Sequence, residues 1–244
     1  MKGPHLPSTI LLYQSRPVPC PYLRGKTWIT HLFLEYQFPG EGYETLLSFG
    51  FRRSGYIVYR NHCPGCSSCI PLRIPVHLFK PSSSMKKCLR RNRDVTIQEG
   101  GIDFDPEVFS LYRRYCTFKH EFEDINYQEE GFRNFLCCSP LETRTLQYRI
   151  RDRLVGVSWV DILPHSFSSV YFAFDPEETS RSLGTFSVLH ELKRAAESGR
   201  SYYYLGFYVA DSRKMSYKAR FKPYELLLDG QWCRVSEEPC TIHP

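Results

Sequence analysis

The sequence predicts an α+β protein of two parts. A small, basic, cysteine-bearing domain spans residues 1–98, and a second domain with a mixed sheet spans 99–244. Three observations carry this. Ten Lys or Arg and no Asp or Glu lie between Phe51 and Arg93. Cys63, Cys66 and Cys69 fall inside that stretch with C-x-x-C-x-x-C spacing. Beyond residue 104 an amphipathic helix is followed by the pattern β-β-β-α-β.

The charge is local. The chain has 32 Lys and Arg against 26 Asp and Glu, and removing the ten basic residues of 51–93 leaves 22 against 26, about −4. A confined positive field points to a polyanionic partner. The flanking acids are Glu44 and Asp94. At 244 residues the chain is long enough to bury a core, and 17 Tyr and 17 Phe supply much of it. No apolar run approaches the roughly 18–20 residues that span a bilayer. The opening MKGPHLPSTILLYQ has too short an apolar run for a secretory signal. The expectation is a soluble, cytoplasmic monomer whose ten cysteines are reduced thiols rather than staples.

The elements follow in order. Residues 1–25, rich in Pro, read as an extended surface segment, and 27–38 as a strand or short helix. A helix over 41–49 is closed by Gly50. SGYIVYRN and IPLRIPV are strands flanking the CPGCSSC loop. KPSSS caps a basic helix that ends at Arg93. VTIQ is a short strand. A helix over 105–119 turns Val108, Leu111, Tyr112, Tyr115 and Phe118 inward. A short helix over 129–137 precedes strands near 144–150, 154–163 and 168–174. The helix over 182–198 turns Phe186, Leu189, Leu192 and Ala196 inward, and Gly199 stops it. SYYYLGFYV is a strand, ADSRKMSYKARFKP a basic loop or helix turn, and YELLLDGQWCRV a closing hairpin.

The β-β-β-α-β order resembles the N-acetyltransferase-like (GNAT) fold, which binds an activated acyl donor beside a splayed sheet. A domain boundary then falls near 94–104. CPYL at Cys20, GFRRSG at Gly50, CxxCIPLRI at Cys66, FKPSSS, LYRRY at Leu111, VYFAFDP at Val170 and RSLGTFSVL at Arg181 add a second likeness. With YLGFYVADSRKMSYKARFKP at Tyr204, they resemble the aminoacyl-tRNA–protein transferases of the N-end rule, over nearly the whole chain. These include the short bacterial leucyltransferases and the larger arginyltransferases. Asp211 departs from the pattern, which has a neutral residue there.

The resemblance implies transfer of an aminoacyl group from charged tRNA to the α-amine of a protein beginning with Asp or Glu, marking it for degradation. A leucyl donor needs an apolar pocket, and an arginyl donor needs a carboxylate such as Asp175 or Asp211. The short chain favours leucine. Aminolysis of an ester is downhill and requires no cofactor. It requires a positioned neutral amine and oxyanion stabilisation.

The residues fit this chemistry. Arg52, Arg53, Lys86, Lys87, Arg90, Arg91 and Arg93 suit tRNA phosphates, against the blander reading of a solvated helix face. Tyr204 and its aromatic neighbours suit stacking on the single-stranded 3′ end, although alternate strand residues must be core. His120 and Asp175 are candidate weak bases; they read equally as a helix cap and a turn residue. Arg213, Lys214, Lys218 and Arg220 suit the acceptor carboxylate or phosphates, with Lys214 and Tyr217 favoured for catalysis. Ser182 and Gly184 open a helix whose free N–H groups suit an oxyanion. Cys20, Cys63, Cys66 and Cys69 suit zinc or an iron–sulfur cluster, or are simply buried thiols.

Two other readings compete. An acetyl-CoA-dependent N-acetyltransferase needs a Gly-rich pyrophosphate loop that residues 181–185 supply only in part. A non-enzymatic, metal-containing nucleic-acid-binding protein leaves the C-terminal half without a task.

Overall fold

The computed structural model describes residues 10–119 and 128–235. The chain opens with strands β1 (Tyr13–Gln14), β2 (Val18–Pro19), β3 (Thr27–Trp28) and β4 (Thr30–Leu34), then helix α1 (Gly40–Ser48). Strands β5 (Arg52–Ser54), β6 (Ile57–Asn61) and β7 (Ile70–Pro75) follow, then α2 (Ser83–Arg91), β8 (Val95–Gly100), α3 (Pro106–Lys119) and α4 (Glu129–Leu136). The remainder is β9 (Thr143–Ile150), β10 (Arg153–Ile162), β11 (Ser166–Phe174), α5 (Leu183–Glu197), β12 (Tyr202–Tyr208), the short α6 (Arg213–Ser216), β13 (Tyr224–Leu228) and β14 (Gln231–Val235).

Two main sheets form. The smaller has the order β1-β4-β6-β5. The larger is eight-stranded and mixed, in the order β14-β13-β7-β12-β11-β10-β9-β8. In that sheet β11 and β12 run parallel, joined by the crossover helix α5, while the other neighbours are antiparallel. This is the order that the GNAT likeness implied. β10 is buried at eight consecutive positions, Leu154 to Asp161, because it is covered on both faces. Val157 and Trp159 pack with Val108, Leu111 and Tyr112 of α3. Val155 and Val160 belong to the core that takes Phe186, Leu189 and Leu192 from α5.

Helical periodicity placed most core positions correctly, with two shifts of register. Phe118 is 53% exposed, and Cys116 fills the inward position of α3 in its place. On α5 the inward alanine is Ala195 rather than Ala196. Ser82 caps α2, its hydroxyl accepting the Met85 amide at 3.4 Å. Gly50 follows α1 with φ +83, which a residue with a Cβ adopts only under strain.

The domain boundary at 98/99 does not separate the sheets. β7, from the N-terminal part, lies between β12 and β13, and β8 forms the far edge. Pairing across the sequence won over the break in charge. The β1-β4-β6-β5 sheet is nonetheless distinct, and Glu44 of α1 fastens it to the larger one. Its carboxylate accepts the His165 amide at 2.8 Å and the Ser166 hydroxyl at 2.6 Å.

Candidate active site

Parallel pairing between β11 and β12 lasts only from Ser166↔Tyr202 to Ser168↔Tyr204. β11 then continues to Phe174 and β12 to Tyr208 without each other. The divergence leaves backbone groups of both strands facing a wedge, and two cations occupy it. Arg52, from β5, donates to the Ser168 hydroxyl at 3.1 Å and to the Ser169 carbonyl. Lys218 donates from Nζ to the Phe207 carbonyl at 2.7 Å.

Gly206 brings these cations to one place. It sits at a bulge in the β12–β7 pairing with φ +85. A Cβ built there lies 3.3 Å from Lys218 Nζ and 3.8 Å from Arg52 Nη2. Lys218 is only 7% exposed and Arg52 only 9%. Burial, together with the neighbouring Arg52 charge, pulls the Lys218 ammonium down from 10.5 to about 7. Among the described residues neither cation has a carboxylate partner. The wedge is therefore electropositive, sparsely hydrated and poised to receive a developing negative charge.

Arg53 has a different fate. Successive strand residues point in opposite directions, so Arg53 turns away from the wedge. It forks onto Asp161, with Nε 2.9 Å from Oδ2 and Nη2 2.5 Å from Oδ1. Thr143 donates to the same carboxylate at 2.7 Å. Burial opposes the Arg53 charge, and Asp161 more than offsets it. This pair bolts the small sheet to β10.

The cysteine loop borders the wedge. Cys69 immediately precedes β7, and burial pushes its thiol up to about 12, with Cys20, Cys63 and Cys66 adding to the rise and Lys218 opposing it. The four thiols thus share one neighbourhood, but they do not converge on a centre. Cys63 donates to the Ile29 carbonyl at 3.6 Å and Cys66 to the Ser68 hydroxyl at 3.5 Å. Among the described residues no group of three or more His, Cys, Asp or Glu is placed to hold a metal ion.

Several residues expected at a binding surface are occupied elsewhere. Arg52 is in the wedge, and Arg53 is locked in its ion pair. Lys218 is buried and makes no surface for phosphate. Tyr204 is 6% exposed, accepts from Arg73 at 3.3 Å and packs in the core beneath the small sheet, so it is not a stacking platform. Asp175 is 4% exposed, lies 3.3 Å from Arg114 and 3.1 Å from Arg153, and accepts the Glu177 amide. Both carboxylate oxygens are thus engaged by protein donors.

Others stand where expected. Lys86, Lys87, Arg90, Arg91 and Arg93 are exposed on and just after α2, whose Met85 and Cys88 face inward. Arg91 donates to the Ser180 carbonyl. Arg213, Lys214 and Arg220 are exposed, and Tyr217 is half-buried, its hydroxyl pushed up to about 12 by burial and by Glu191. Ser182 is exposed at the start of α5 with φ +58 and makes no side-chain cap. Gly184 leaves only ordinary contact with Phe172, 3.9 Å from a built Cβ. His120 lies outside the described residues.

Sequence reasoning did not single out Ser168, Ser169, Gly206 or Glu191, and it read Tyr203 as a stacking aromatic. Glu191 had a signal: it shares the inward stripe of α5 with Val188, Leu192 and Ala195. Its carboxylate is fully buried and accepts the Tyr203 hydroxyl at 2.6 Å.

Comparison with known proteins accounts for both halves. A family model described as "Arginine-tRNA-protein transferase, N terminus" matches residues 18–87, and its partner, "Arginine-tRNA-protein transferase, C terminus", matches 107–228. An "Aspartate/glutamate leucyltransferase" of Aeromonas hydrophila is 42% identical over 81% of this chain and 83% of its own length. A protein of the same name from Pseudomonas savastanoi pv. phaseolicola is 38% identical over 90% of this chain and 94% of its own. A GCN5-related N-acetyltransferase from Kribbella flavida has a TM-score of 0.40 and 14% identity, covering 81% of this chain and 64% of that one. The chain belongs to the arginine-tRNA-protein transferase family and is an aminoacyltransferase of that type.

Proposed function

We propose that the protein moves leucine from charged tRNA to the α-amine of proteins that begin with Asp or Glu. Aminoacyl transfer from tRNA to protein N-termini is the family activity. The observation that carries the choice of donor is the name shared by relatives 34–42% identical over most of this chain. The acids offer a second support. A buried carboxylate is the natural partner of an arginyl side chain, and both candidates fail. Asp175 is held by Arg114 and Arg153, and Asp211 is exposed in a turn.

In this reading the aminoacyl ester enters the wedge between β11 and β12. The acceptor's neutral amine attacks the ester carbonyl. The oxyanion that forms is met by the Lys218 ammonium and the free N–H groups of Arg52. Collapse expels the ribose hydroxyl of the tRNA and leaves a peptide bond. The step draws on no metal or nucleotide, because an ester lies above an amide in free energy. Arg213, Lys214 and Arg220 serve the acceptor's acidic side chain, and the exposed cations of α2 serve tRNA phosphates. Charged tRNA as donor implies the cytoplasm, and among the described residues no helix is long and apolar enough to cross a membrane.

The test uses purified protein, a peptide beginning with Asp, and tRNA charged with labelled leucine or labelled arginine. Transfer from leucyl-tRNA alone is expected. Transfer from arginyl-tRNA alone overturns the donor assignment, and transfer from neither overturns the reading.

A further inference from the structure

The attacking amine must lose a proton, and the wedge's two cations, Arg52 and the Lys218 ammonium, are committed to the oxyanion. A chain of hydroxyls leads out of the wedge. Ser169, half-buried on β11 just beyond the last paired residue, supplies the carbonyl that holds Arg52. Its hydroxyl neighbours the Tyr203 oxygen and acts on it electrostatically. Tyr203 donates in turn to Glu191 at 2.6 Å. Ser158 donates to the same carboxylate, and the Tyr148 and Ser158 oxygens are 3.4 Å apart. Tyr203 and Ser158 thus converge on one carboxylate.

We propose that Ser169, Tyr203 and Glu191 form a proton relay in which Glu191 holds the proton released by the attacking amine. This rests on the transferase reading above. As the C–N bond forms, the amine proton passes to Ser169. The Ser169 proton moves to Tyr203, and the Tyr203 proton to the Glu191 carboxylate. Reversal of the relay delivers the proton to the ribose oxygen as the ester C–O bond breaks. Proton count and charge are restored at the end of each transfer.

The surroundings of Glu191 suit this role and serve stability poorly. Tyr203, Tyr148 and Tyr217 face it from the sheet and from the 217–220 turn, and Arg194 acts on it from its own helix. Arg194 is paired with Glu99. Buried without a cation of its own, the carboxyl is raised to about 7 by desolvation, so it exchanges a proton near neutrality. A leucine would fill the same space without that desolvation penalty. Because Glu191 reaches the substrate only through Tyr203 and Ser169, it is a positioning residue.

The experiment measures single-turnover leucyl transfer for wild type, Glu191→Gln and Tyr203→Phe from about pH 6 to about pH 8. Wild-type transfer in the same assay secures the parent reading independently of the variants. We expect Glu191→Gln and Tyr203→Phe to bind charged tRNA normally and to react about 10²-fold more slowly. The low-pH fall in the wild-type rate becomes shallower in Glu191→Gln, which keeps only the fall set by protonation of the acceptor amine, whereas a merely structural glutamate leaves that profile unmoved. Glu191→Asp restores part of the rate. A wild-type rate and profile in Glu191→Gln overturn the proposal. If Glu191→Gln does not fold, Tyr203→Phe decides, with an undiminished rate overturning the relay. Infrared difference spectra add a readout free of activity: a carboxyl C=O band titrating near neutrality in wild type and missing in Glu191→Gln.

Discussion

Replacing Lys218 with Met is expected to make the protein more stable and almost inactive. Met keeps the length of the side chain and removes its charge. The drop from 10.5 to about 7 means the folded state disfavours the ammonium. At about 1.4 kcal/mol per pKa unit, the penalty approaches ~5 kcal/mol when the lysine is fully protonated in both states. Loss of the Lys218–Phe207 hydrogen bond returns about 1–3 kcal/mol of that. The pH dependence is cleaner, because the hydrogen-bond contribution cancels from it. Between pH 7 and 10.5 the unfolded chain holds the proton and the folded chain increasingly does not. Wild-type stability from this group therefore rises with pH across that window. Lys218→Met lacks the effect, so its advantage should shrink by about 2 kcal/mol between pH 7 and pH 9. Urea unfolding of both proteins at the two pH values measures this. Transfer should fall about 10²–10³-fold, the scale of removing one oxyanion donor. A stability difference that does not change with pH, or a variant that keeps its activity, refutes the reasoning.

Two further outcomes follow from the same geometry. Arg53→Met strands the buried Asp161 carboxylate and should cost about 3–5 kcal/mol in chemical unfolding while leaving the salt dependence of tRNA binding unchanged. Replacing Arg90, Arg91 and Arg93 together with Gln should weaken tRNA binding and reduce the slope of log affinity against log salt by about 2–3 in filter-binding titrations. An unchanged slope would make α2 a solvated face.

The wedge was only partly visible in the sequence, and the reason is geometric. GFRRSG and SRKMSYKAR drew notice as cation-rich segments, and cation-rich segments read as surface. Nothing in FRRS tells which arginine turns into the wedge and which into Asp161, since that depends on where β5 docks. Lys218 follows the point where α6 gives way at Tyr217 to a tighter turn, which breaks the period that would have placed it. Tyr204 illustrates the opposite error. A row of tyrosines suggested stacking, but Tyr203 packs into the α5 core and Tyr204 into the core of the small sheet, so both faces of β12 are covered. Glu191 was legible in principle, as an acid on the apolar stripe of a helix. The break in charge does not part the strands, because strand pairing is non-local: β7 joins a sheet whose other strands lie on the far side of that break.

The ten cations of 51–93 divide into two populations, and the division changes what the charge means. Arg52 and Arg53 are buried. Arg60 lies over the Phe51 ring at 5.2 Å, and Arg73 is sandwiched between Tyr202 at 3.8 Å and Trp232 at 4.2 Å while pairing with Glu225. Arg52, Arg53 and Arg73 are consumed by the fold and the wedge, whereas Arg60 is exposed on β6. Lys80, Lys86, Lys87, Arg90, Arg91 and Arg93 stay exposed, and all six lie on or beside α2. An external field from six charges attracts phosphate over a Debye length of about 8–10 Å and weakens with salt. An internal pair at low dielectric acts only on a charge that forms within contact, and salt does not screen it. Binding of tRNA should therefore track ionic strength while the rate of the bond-forming step, measured on bound substrate, stays flat. If single-turnover rates at saturation fall with salt as steeply as affinity does, Arg52 and Lys218 are not shielded from solvent and the wedge is not where the bond is made.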